Sequence, residues 1–174
     1  MWLSLDTDLQ YRFDDDISPI AFFEHLPHLL APTDTLVLGC YEARADIRRF
    51  LATEAIPPAW QRFSFTETWD INRDEHPHGA AFHLRPDSRT LQQLARFAAS
   101  VAEHIDLCDH IAAYSSEHPL LIYHGTFWEP LFISTRIPRS SVEAFSRGIG
   151  VPFEEIDFYK TYCSSTSPSD EPNA

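Results

Sequence analysis

Apolar and polar positions along the chain divide it into short periodic segments. Trp2 to Phe13 mixes alternation with acids and predicts a strand, irregular near Leu9. Ser18 and Pro19 predict a helix start, with the serine oxygen capping free amides and the proline at the first position, where its missing N–H costs nothing. Ile20, Phe22, Phe23 and Leu26 form that helix's apolar face, and Pro27 ends or kinks it. The apolar, partly β-branched run from Thr35 to Tyr41 predicts a central strand. Ala43 to Ala55 follows as a helix with Ile47, Phe50 and Leu51 inward.

The period then changes. Phe63, Phe65, Trp69 and Ile71 alternate with Ser64, Thr66, Thr68 and Asp70, as in a strand with one covered face, and Ala80 to Arg85 returns as its hairpin partner. Asp87 or Ser88 caps the longest predicted helix, Arg89 to Tyr114, whose inner face runs through Leu91, Leu94, Val101, Ile105, Cys108 and Ile111. Leu120 to Tyr123 and Leu131 to Ser134 predict two further strands. Ser140-Ser141-Val142-Glu143 fits a capping box for a last helix that Gly148 or Gly150 ends.

These segments predict one α+β domain over residues 1–163, a mixed β-sheet of about five or six strands flanked by about four helices in the order β-α-β-α-ββ-α-ββ-α. Residues 164–174 are polar throughout and read as a disordered tail. Phe82, Leu91, Leu94 and Arg96 precede Ile133, Val142, Phe145 and Arg147 by 51 positions each (133 − 82), a weak trace of internal duplication set against the simpler reading of coincidence in a common strand-strand-helix unit.

Composition narrows the function. Against 26 acidic side chains stand 13 basic ones, a formal charge of -13. That sign argues against nucleic acid, whose binding rests on phosphate neutralisation, and against an anionic membrane surface. No stretch approaches the roughly 18 to 20 apolar residues of a membrane helix. The N-terminus lacks the basic and apolar regions of a secretory signal, so a cytoplasmic location is expected. Cys40, Cys108 and Cys163, odd in number and widely spaced, read as thiols of a reducing compartment.

No complete catalytic or cofactor motif is present: there is no HExxH, paired CxxC, glycine-rich phosphate loop or nucleophile elbow, and no cofactor is expected. His76, His78 and His83 are candidate metal ligands on the first hairpin, set against the simpler reading of a solvated acidic loop. On a continuous helix, His104 and Cys108 share one face while Asp106 and His110 share another, so that group cannot converge on one ion. The segment from His124 to Pro130 joins two apolar strands with a histidine, a glycine, adjacent aromatics and a carboxylate. His124 and Glu129 are the candidate acid/base pair there, the alternative being that Phe127 and Trp128 seal the core.

The acids crowd near aromatic-rich elements. Asp14, Asp15 and Asp16, the hairpin residues Glu67, Trp69, Asp70, Asp74 and Glu75, and Trp128 form a candidate partner-binding set. Acids steer a basic protein and large aromatics anchor it. The expectation is therefore a non-catalytic acidic interaction protein, of the immunity or inhibitor kind, with a basic protein partner. The alternative is a small metal-dependent or His/Glu acid-base hydrolase.

Overall fold

A computed structural model describes residues 5–14, 16–40, 42–57, 80–116, 118–125 and 127–163. Its single sheet has seven strands: β1 (Leu9–Phe13), β2 (Thr35–Cys40), β3 (Ala80–Leu84), β4 (His110–Tyr114), β5 (Pro119–Tyr123), β6 (Leu131–Ser134) and β7 (Glu154–Asp157). Four helices accompany them: α1 (Pro19–His25), α2 (Ala45–Glu54), α3 (Ser88–Ala98) and α4 (Arg139–Ile149). The α+β class is as expected. The strand order is β3-β2-β4-β5-β6-β1-β7, every neighbouring pair antiparallel, so the sheet is not mixed.

The reason lies in how the helical connections run. β3-α3-β4 joins two strands of one direction, as a helical crossover should, but β2 lies between them and runs the other way. β6-α4-β7 repeats the arrangement with β1 inserted. The pairs separated by 51 residues fall at matching places in these two units: Phe82 and Ile133 on the strands, Leu91 and Val142, Leu94 and Phe145 on the helices.

Strand alternation separates the two faces. Tyr11, Phe13, Leu36, Leu38, Leu84, Ile111, Leu121, Tyr123, Leu131 and Ile133 join one buried cluster with Phe22, Phe23, Ile47, Leu51, Leu91, Leu94, Val142 and Phe145 from the four helices. The helices therefore form one layer over one face, α1 packing against both α3 and α4. The opposite face is also withdrawn from solvent and is more polar, with Gln10, Thr35, His83 and Ser134 buried alongside Val37, Ala112, Tyr114 and Ile122. Among the described residues no helix is long and apolar enough to cross a membrane.

Three local expectations are corrected. The long helix stops at Ala98; a 3-10 turn (His104–Asp106) and β4 replace its second half. Ile111 and Ala113 face the helices while Ala112 and Tyr114 face away, all four buried, and such a doubly buried strand reads much like helix by apolar content alone. The last helix begins at Arg139 with Pro138 at its cap, so Ser140 and Glu143 lie inside its first turns and form no capping box. Ser18 occupies the cap of α1 without a side-chain hydrogen bond, whereas Asp87 does cap α3, accepting from the Thr90 amide at 2.8 Å. Gly150, at φ 74°, ends α4 as a left-handed cap.

Candidate functional site

The carboxyl ends of β1, β2 and β5 meet the amino ends of β3, β4, β6 and β7 at one edge of the layered domain, because the register pairs Phe13 with Leu131, Cys40 with Ala80 and Arg12 with Glu154. His110, at the start of β4, and His124, just after β5, come side by side there, their rings 5.6 Å apart and 76° inclined. Burial drives the His110 imidazole down to about pKa 4, and the adjacent His124 adds to the effect. Its Nδ1 accepts the Gly125 amide at 3.3 Å, which requires that nitrogen to be unprotonated.

The loop from His124 to Pro130 folds back on itself. The Trp128 and Glu129 amides both donate to the Gly125 carbonyl, at 3.0 and 3.2 Å. Gly125 adopts φ 53°, a left-handed conformation that favours glycine, and a Cβ there would stand 3.0 Å from Cγ and Cδ of Glu129 and press on that side chain. Phe127 adopts φ 68°, a conformation that costs a bulky side chain about 1–2 kcal/mol. Core packing holds it. Its buried ring lies 5.4 Å from Tyr123, 5.8 Å from Phe22 and 6.5 Å from Phe23. The two adjacent aromatics thus part company: Phe127 seals the core, while Trp128 is 71% exposed.

Beside Trp128 lies a pocket of about 250 Å³ lined by His104, Cys108, Asp109, His110, Trp128 and Glu129, among others. The His104 ring meets the Trp128 indole edge-on at 4.8 Å. Ending the long helix at Ala98 is what brings His104, Asp109 and His110 to one place; read as continuous helix they point apart. A larger groove of about 530 Å³ runs between α1 and α3, where Glu24, Gln92 and Arg96 stand among Ile20, Phe23 and Leu91.

The predicted candidates divide as follows. His124 and Glu129 do lie in one loop; burial lowers the His124 imidazole below its ordinary value, and the Glu129 charge opposes the shift. Asp16 is exposed and close enough to act on the Tyr123 phenol, whose ionisation burial already disfavours. Asp14 is at the same end of the sheet, 2.6 Å from Arg12, which also reaches Glu154 at 3.5 Å. His83 does not join this end: alternation along β3 turns it to the face away from the helices, where its Nδ1 lies 2.9 Å from the Tyr114 hydroxyl and burial lowers its pKa. Asp15, Glu67, Trp69, Asp70, Asp74, Glu75, His76 and His78 lie outside the described residues. Among the described residues no three His, Cys, Asp or Glu side chains are grouped to hold a metal ion. Cys40, at the end of β2, is a buried thiol whose ionisation is pushed up by desolvation and by Asp109, and it donates to the Leu107 carbonyl at 3.5 Å.

The described residues form an α+β fold with one helical layer on its sheet, and a small, mostly apolar pocket lies beside an exposed tryptophan at one end of that sheet. No family model, curated protein or solved structure matches the chain.

Proposed function

We propose that this chain is a non-catalytic interaction protein, of the immunity or inhibitor kind, acting in the cytoplasm on a basic protein partner. The observation that carries this reading is Trp128, an indole 71% exposed on a loop whose conformation the buried Phe127 holds against its own backbone preference. A rigid exposed tryptophan is the residue type that dominates interface energetics. Strain retained next to it points the same way, since strained backbone tends to persist where function uses it. Asp16, Asp109 and Glu129 surround this end of the sheet, and a net charge of -13 favours encounter with a cation-rich surface.

Affinity capture from the native cytoplasm at low ionic strength tests the proposal. The expected result is a basic protein in a complex that salt dissociates and that Trp128→Ala weakens by about 2 kcal/mol or more. Recovery of no partner at low ionic strength overturns it. A second reading, an acid-base hydrolase using His124 and Glu129, draws support from the Glu129 charge acting on the half-buried His124 beside a pocket. Ester or amide hydrolysis that disappears in both His124→Gln and Glu129→Gln would favour it instead.

A further inference from the structure

The pocket beside Trp128 has a mostly apolar wall, with a few polar side chains among the residues that line it. Its volume of about 250 Å³ falls below the roughly 300–1,000 Å³ of pockets that enclose small organic ligands, and suits one inserted side chain. Two carboxylate residues line it, Asp109 and Glu129, together with the Trp128 indole and the His104 ring set edge-on to that indole. We propose that this pocket receives a guanidinium group, the side chain of an arginine on the basic partner; the assignment rests on the partner reading above.

The chemistry favours a planar cation. A guanidinium spreads its charge over a flat fork that stacks on an aromatic ring and meets a carboxylate through two parallel hydrogen bonds. An ammonium is a compact, strongly hydrated charge that gains less from a flat wall. Nε2 of His104 is buried without a hydrogen-bond partner among the described residues, as is Nε2 of His83. His110 brings no opposing charge at neutral pH, being held neutral with its Nδ1 already accepting from Gly125. Arg44 donates to Asp46 and to the Ser100 carbonyl, and Arg48 donates to the Cys40 carbonyl at 3.4 Å and acts with Asp109 on the Cys40 thiol. Neither lines the pocket.

The probes are arginine amide, lysine amide and citrulline amide, the last having the arginine shape without its charge. Binding is read from the Trp128 indole N–H resonance, assigned by its loss in Trp128→Leu. The expected result is a saturable shift with arginine amide, weaker by about tenfold for lysine amide and for the Glu129→Gln variant, and absent with citrulline amide. Both substituted side chains are exposed, so both variants should keep the fold, checked by circular dichroism. No saturable shift with arginine amide, equal binding of lysine or citrulline amide, or full affinity in Glu129→Gln each overturns the assignment. Capture separates this proposal from the partner reading. A basic partner held equally well by Glu129→Gln but weakened by Trp128→Ala leaves the partner reading standing and removes the pocket's role. Arginine amide bound in the pocket with no basic protein captured does the reverse.

Discussion

The two ends of the sheet use the same residue types to opposite effect. At one end Asp6 lies 2.7 Å from Nδ1 of His118 and 3.1 Å from both Nε and Nη2 of Arg136, so carboxylate, imidazole and guanidinium complete one another. At the other, two histidines sit together in a low-dielectric setting, a carboxylate flanks them, and a buried nitrogen of His104 has no partner among the described residues. A complete set of ion pairs holds segments together and asks nothing of solvent or ligand. An incomplete one costs stability, and it persists where something else completes it. The comparison thus sets an end tied together by Asp6, His118 and Arg136 against one where a held loop exposes an indole beside a pocket.

The sharpest way to break the second of these ends is through its foundation. Phe127→Ala removes a ring packed against Phe22, Phe23 and Tyr123, and should cost about 3–5 kcal/mol, read as a shift in the urea midpoint. Trp128→Ala, one residue on, should change stability by less than about 0.5 kcal/mol, because its side chain is mostly in water. Similar costs for the two would mean that the loop is not held through Phe127, and the case for a rigid anchor would go with it.

That division between neighbours shows what could be read from residues alone. The segment from His124 to Pro130 was identifiable as unusual, since glycine, paired aromatics and a carboxylate between two apolar strands match no ordinary hairpin turn. Which aromatic faces inward depends on the left-handed backbone at Phe127, and nothing in an aromatic residue signals positive φ. β2, α1 and the strands β5 and β6 follow from their periodicity. β4 did not, because Val101, Ile105, Cys108 and Ile111 continue the helical spacing of Leu91 and Leu94 with neither glycine nor proline to mark the break. The pocket was hidden by the same error: only a turn at His104–Asp106 lets His104, Asp109 and His110 converge. β7 was missed for another reason. Glu154-Glu155-Ile156-Asp157 carries one apolar residue and sits at the sheet's edge, where a single inward side chain suffices.

Acid should separate the two ends next. The folded state holds His110 down near pKa 4 while the unfolded chain titrates near 6.5, so between those values the unfolded state binds the extra proton. Stability therefore falls as pH drops from about 6.5 toward 4, and the loss is complete below that. His83 and His124 are shifted in the same direction and add to it. His110→Asn retains an acceptor for the Gly125 amide while removing the proton site, so its thermal midpoint should depend less on pH across that window than the parent's. An unchanged dependence would show that His110 is not neutral through burial, and would weaken the contrast with His118.

The smallest expected effect belongs to the complete end. The Asp6 carboxyl is raised somewhat by partial burial, but the hydrogen bonds and charges of Arg136 and His118 outweigh this and leave its pKa below the usual 3.8. A depressed carboxylate contributes stability above its unfolded pKa and loses it as pH falls through the folded one. Asp6→Asn should therefore cost less than about 1 kcal/mol near neutrality, since all three partners are a third or more exposed and solvent screens them. Added salt should shrink the difference further. The difference between variant and parent should persist down through the window in which His110 acts and close only below about pH 3.8. Two acid transitions at separate pH values, each abolished by its own substitution, would assign each end its own electrostatics.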